Sequence, residues 1–159
     1  MTHSDTDAFW TLVREFDTAM VVTRDGGALR ARPMAPRIPK AGGEIRFLTE
    51  RPSHKVEEIE ADSSVAATFS KHGRYLSVSG TARILTDRAS VAEIWDAEAE
   101  AWLPQGKDDP SVVVLSIDPH MAEIWDVKAN KVTQAYEFAK AYLGGQDRPD
   151  VGENRKIDL

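Results

Sequence analysis

Apolar residues near the start of the chain recur at helical spacing: Phe9, Leu12, Val13 and Phe16 fall at i, i+3, i+4 and i+7. Ser4 with Asp7 ahead of them resembles a capping box, so a first helix is predicted. Residues 19–23 then read as a short apolar strand, and Asp25-Gly26-Gly27 as a hairpin turn. Residues 28–38 alternate, but Pro33, Pro36 and Pro39 forbid a regular central strand throughout, which predicts a strand that frays at its end. Residues 44–49 form a third strand. A short helix opened by Pro52-Ser53 follows, with Val56 and Ile59 on its inner face.

Val65, Ala67 and Phe69 alternate in a fourth strand, and Lys71-His72-Gly73 turns the chain. The fifth strand is the cleanest: Leu76, Val78, Ala82 and Ile84 share one face with Gly80, and Tyr75, Ser77, Ser79, Thr81 and Arg83 share the other. Residues 87–103 are expected to form one helix with Val91, Ile94, Trp95, Ala99 and Trp102 along a stripe. The run 112–117 is nearly all β-branched, which predicts a strand buried on both faces; residues 121–127 continue after Asp118-Pro119-His120, and 128–131 turn. A last helix gathers Ala135, Phe138, Ala139, Tyr142 and Leu143 on one face and stops at Gly144-Gly145. Ala-Glu-Ile-Trp-Asp occurs at 92–96 and 122–126, helical the first time and extended the second, with no flanking similarity to make a repeat.

Short turns between strands imply antiparallel pairing, and a sheet with few covering helices is best satisfied by a closed or nearly closed barrel. The expected fold is mainly β (α+β), an antiparallel split β-barrel of about six to seven strands with flanking helices. Residues 1–145 are expected to be one domain. The polar tail, 146–159, is expected to be loosely held, or packed on the domain or a partner subunit.

Composition narrows the function. The 159-residue chain sets 20 Lys+Arg against 26 Asp+Glu, a net −6, which makes it a poor nucleic-acid binder. It holds no cysteine, which removes disulfides, thiolate catalysis and Cys-based metal sites and fits the cytoplasm. The polar, acidic N-terminus does not read as a secretory signal, and no apolar run is long enough to span a membrane. The four histidines show no ligand spacing, no nucleophile elbow or phosphate-binding glycine loop is present, and Asp108-Asp109 reads as a turn pair.

Charge is unevenly spread. Residues 30–55 hold seven Lys/Arg and two acids, net +5, against −11 for the remainder. This is either chance clustering on a solvated face or a site. Ser53 is a good N-cap, yet His54 and Lys55 occupy the first helical turn, where cations are disfavoured. Either Lys55 extends into solvent at small cost, or an anion bound there reverses the sign. Arg30, Arg32 and Met34 share one face of the second strand, and paired arginines repel unless solvated or bridged by an anion. If the second and third strands lie side by side, Arg32 approaches Ser53. Arg46 and Lys40 are expected to remain solvated.

Arg32-Pro33-Met34, the strand Ile45-Arg46-Phe47-Leu48-Thr49, Ser53-His54-Lys55 and Tyr75-Leu76-Ser77-Val78-Ser79-Gly80 come in an order that resembles the pyridoxamine 5'-phosphate oxidase-like FMN-binding split barrels. Ala101-Trp102-Leu103-Pro104, Ala122-Glu123-Ile124-Trp125-Asp126 and Gly152-Glu153-Asn154 resemble the bacterial general stress protein branch. The resemblance implies a homodimer with FMN at its interface. It places Arg32 and Met34, Thr49, and Ser53, His54 and Lys55 at the cofactor, with Arg32 on the phosphate and Arg37 where the oxidase has lysine. His54 stands where the family has arginine, so one phosphate contact is weaker or pH-dependent. Tyr75 or Ser77 falls near a flavin-facing glutamine, and Trp125 either reaches the flavin from the other subunit or is an ordinary core or interface aromatic. Related barrels bind a deazaflavin or haem.

The oxidase's R-x-x-x-S and R-L-H substrate segments have no match, with Lys131-Val132-Thr133 in the second region, which argues against pyridoxamine phosphate as substrate. The expected function is a flavin-dependent oxidoreductase acting on NAD(P)H or another small molecule in a stress-related role. The alternative is a non-catalytic flavin reservoir, redox sensor or dimeric interaction domain.

Overall fold

A computed structural model describes residues 3–127, 131–144 and 152–159. The elements run α1 (His3–Val13), β1 (Ala19–Asp25), β2 (Ala28–Met34), β3 (Ile45–Glu50), α2 (His54–Ala61), β4 (Ser64–Lys71), β5 (Arg74–Leu85), α3 (Arg88–Glu93), α4 (Ala97–Trp102), β6 (Val112–Asp126), α5 (Lys131–Gly144) and β7 (Glu153–Asp158). All pairings are antiparallel, in the order β2-β1-β4-β5-β6-β3, with β7 also on β6. Just beyond β2, Arg37 and Arg46 exchange two backbone hydrogen bonds of 2.7 and 2.9 Å. That bridge joins the two ends of the sheet, so it curls into a split barrel. β2 and β3 therefore meet at their ends and do not run side by side.

The alternation read from the sequence is the burial pattern. Phe9, Leu12, Val13 and Phe16 of and after α1 enter a core with Val21, Phe47, Phe69, Leu76, Val78 and Leu115. β6 is buried on both faces over 112–117: Leu115 and Ile117 face the barrel, while Val112 and Val114 pack with Val91 and Ile94. At position 80 a Cβ would stand 2.1 Å from the Asp118 carbonyl oxygen, so only glycine lets β5 and β6 approach where their register shifts.

Three further expectations change. The single helix over 87–103 is two short ones, because Asp96 caps a new start by accepting from the Ala99 N–H. Trp102, placed on the buried stripe, is 78% exposed. Arg46 is not solvated but largely buried, its guanidinium 2.9 Å from Glu44 and 2.8 Å from Glu93. Of the alternatives for the tail, packing on the domain holds over its end: Glu153–Asp158 pairs with Met121–Asp126, burying Ile157. α5 forms as expected, but Tyr136, Phe138, Tyr142 and Leu143 are all exposed. The Ser4 side chain, the turn through 128–130 and Gly145 lie outside the described residues. Among those described, no helix is long and apolar enough to cross a membrane.

Candidate functional site

The start of α2 is where backbone, hydroxyl and cation meet. Ser53 is the N-cap, in extended conformation, and makes no side-chain cap bond. Its Oγ is buried without a partner, an uncommon and costly state for a hydroxyl. Two residues on, half-buried Lys55 reaches back to the end of β3, where its Nζ donates to Thr49 Oγ at 2.9 Å. Burial, and after it the charge of Arg32, push the Lys55 ammonium below the usual lysine range. A hydroxyl with no partner and a cation short of an anion lie at the positive end of a helix. The donor set fits a phosphate ester.

Lys55 and Thr49 line a cavity of about 500 Å³ together with Met34, Arg37, Leu48, Trp102 and Leu103. The lining is mostly apolar, with Lys55, Arg37 and Glu98 as its charged members, the character of a small-molecule site with a few polar groups to fix orientation. Arg37 is fixed there by Asp96 at 2.9 Å. Trp102, which the helical stripe assigned to packing, stands in this wall because α4 starts afresh at Asp96.

Ser53 stands at the head of α2 but is not among the residues lining this cavity, and the remaining candidates lie elsewhere. Arg32 shares the core-side face of the sheet with Val21 and runs beneath α2, where Nη2 is 2.9 Å from Glu58 Oε2 and Nη1 2.5 Å from Thr23 Oγ. Arg32 and His54 border a separate pocket of about 560 Å³ with Arg30, Asp25 and Glu58, and His54 itself is almost wholly exposed. The anion bridging Arg30 and Arg32 is thus the protein's own Glu58, which sequence inspection passed over. A carboxylate one residue before the inner-face Ile59 was the available signal. Ser77 and Trp125, with Tyr75 and Met20, line a hollow on the sheet's outer face that shares Thr18 with the Lys55 cavity.

With this geometry in place, likeness to known proteins becomes informative. The family model described as pyridoxamine 5'-phosphate oxidase like matches residues 4–150. The chain belongs to that family. Protein bli-3 of Neurospora crassa is 30% identical over 141 residues, covering 80% of this chain and 68% of the relative. A solved structure of a candidate general stress protein 26 from Jannaschia sp. CCS1 superposes with TM-score 0.77 at 28% identity, over 99% of this chain and 100% of the other. The general stress FMN/FAD binding protein of Xanthomonas citri has TM-score 0.71 at 30% identity, over 81% and 93%. Family membership accounts for the order of motifs along the chain, and for a mainly antiparallel split barrel with flanking helices.

Proposed function

We propose that this protein binds FMN as a homodimer and acts as a flavin-dependent oxidoreductase on a small molecule, in a stress-related role. The observation that carries the reading is the buried, partnerless Ser53 Oγ at the head of α2, two residues from a half-buried Lys55. Ser53 and Lys55 take the phosphate, Met34 and Trp102 flank the ring in the cavity, and Thr49 steadies Lys55. FMN, when bound, supplies hydride or electron transfer through its ring N5; the protein supplies position and electrostatics. The flavin-binding name of the Xanthomonas citri neighbour supports the cofactor assignment. Residues 1–145 form the binding domain in this reading.

Ser77 and Trp125 open onto the outer sheet face beside Met20 and Tyr75, both substantially exposed. A second copy covering that face would bring the partner's Trp125 towards the flavin. The test is purification with FMN, followed by flavin absorbance, sedimentation and NADPH consumption. The expected protein is yellow, dimeric and able to oxidise NADPH. Binding of FMN by a Ser53→Ala, Lys55→Ala variant as tight as the parent's would overturn the site. Tight binding with no turnover of any donor would favour the reservoir reading.

A further inference from the structure

α2 presses three residues against the sheet: Val56, Ile59 and, between them, the carboxylate Glu58, which is 7% exposed. A buried carboxylate is tolerated only when it is paired and hydrogen-bonded. Glu58 is both. Its Oε2 accepts from Arg32 Nη2 at 2.9 Å and from the Thr23 hydroxyl. Thr23 is itself 1% exposed and also accepts from Arg32 Nη1, so the three side chains close a triangle beneath the helix. Arg32 spends a further contact on the Val21 carbonyl at 3.4 Å. Arg30 adds a positive charge 3.9 Å from Oε1 but is itself held by Asp25 at 2.6 Å. The Nη groups of Arg32 are therefore held by Glu58 and Thr23, while Lys55, on the same helix as Glu58, has only a hydroxyl for a partner among the described residues.

We propose that Glu58 is a built-in counter-ion that occupies Arg32, leaves phosphate to Ser53 and Lys55, and so sets the affinity of this site for a phosphate ester. The identity of that ester as FMN rests on the function proposed above; the counter-ion role does not. With Arg32 and Glu58 cancelling, the head of α2 offers an incoming phosphate one net positive charge, that of Lys55. Removing the Glu58 charge leaves that of Arg32 uncancelled, so Arg32 attracts the phosphate from where it stands. The carboxylate thus holds affinity down, and it discriminates only among ligands that carry the phosphate.

The experiment compares the parent with Glu58→Gln, whose amide oxygen can still accept from Arg32 and keep the fold. Inorganic phosphate is titrated at constant ionic strength with chloride as the control, and binding is read from the rise in melting temperature. FMN and riboflavin are titrated by fluorescence quenching. Glu58→Gln is expected to bind phosphate and FMN about tenfold tighter, the order given by one unit charge about 12 Å away at an effective dielectric of about 20. Riboflavin affinity stays unchanged. A folded Glu58→Gln that binds phosphate and FMN no tighter than the parent overturns the proposal, whether or not flavin binding itself stands. Tighter phosphate binding with no flavin binding by either protein upholds the counter-ion and overturns the flavin reading. Should Glu58→Gln fail to fold, the double variant Arg32→Gln, Glu58→Gln removes both charges of the pair. It is expected to bind phosphate as the parent does, and a clear loss of phosphate binding would show that Arg32 itself holds the anion and overturn the proposal.

Discussion

Replacing Lys55 by methionine keeps most of the aliphatic stem and deletes the charge. Nζ sits 2.9 Å from Thr49 Oγ and has no carboxylate within ion-pair distance among the described residues, and burial, then the charge of Arg32, depress its pKa. A phosphate oxygen placed there would gain a charge-assisted hydrogen bond worth about 1.5–3 kcal/mol. The FMN dissociation constant should therefore rise roughly tenfold to a hundredfold on Lys55→Met, measured by quenching of flavin fluorescence. Riboflavin, with the same ring and no phosphate, should bind the variant as it binds the parent. The protein should melt no lower, because a half-buried ammonium without a carboxylate contributes little to folding. pH gives a second reading. The folded pKa of Lys55 lies below its unfolded value, so the free protein loses a destabilising charge as pH rises through that lowered pKa. Bound phosphate favours the protonated form. FMN affinity should accordingly fall with rising pH before the ordinary lysine range is reached, and Lys55→Met should lack that decline. Equal losses for FMN and riboflavin, or no loss for either, would refute the phosphate contact.

Three further outcomes are expected. Gly80→Ala puts a Cβ 2.1 Å from the Asp118 carbonyl oxygen and 3.0 Å from Pro119 Cα, all backbone, and should cost about 3 kcal/mol. Thermal melting should drop by roughly 10 °C, and an unchanged melt would show that the β5–β6 approach is looser than described. Trp102→Ala should leave the melting temperature alone, since the side chain is 78% exposed, yet weaken flavin binding by the about 0.5–1.5 kcal/mol of an aromatic contact. An intact flavin affinity would remove Trp102 from the site. Met121→Glu on the outer sheet face should turn a dimer into a monomer in sedimentation without altering the circular dichroism; a persistent dimer would place the interface elsewhere.

Local pattern reached most of the architecture because period-2 and period-3.6 burial leave direct marks. β5 shows Leu76, Val78 and Ala82 buried where the alternation put them, and α1 delivers Phe9, Leu12 and Val13 to the core. Pattern failed where a single side chain settled the outcome. Asp96 broke one helix into two by capping the second, and no apolar stripe registers a cap inside its own run. It failed again for pairing at a distance. That Arg37 would bridge to Arg46 and close the barrel depends on backbone groups that carry no signature of their own. At the site, Ser53 and Lys55 could be read together because a helix start is a local feature, whereas Thr49 came with the family resemblance. Glu58 could not be assigned, because its partners Arg32 and Thr23 lie 26 and 35 residues away.

The cationic stretch shows what that distinction means for function. Over residues 30–55 the sequence suggests one basic surface, but folding supplies most of its cations with carboxylates. Arg30 takes Asp25, Arg32 takes Glu58, Arg37 takes Asp96, Arg46 takes Glu44 and Glu93, and Arg51 takes Glu60. Asp96, Glu93, Glu58 and Glu60 come from beyond the stretch, and Asp25 from before it. What remains facing the cavity is Lys55, bound to a hydroxyl beside the partnerless Ser53. A polyanion would need a row of free cations, and the fold has used that row to tie its own helices to the barrel. One unmatched ammonium at a helix start suits a single phosphate. It also makes affinity sensitive to any neighbouring charge, and the nearest buried one is Glu58.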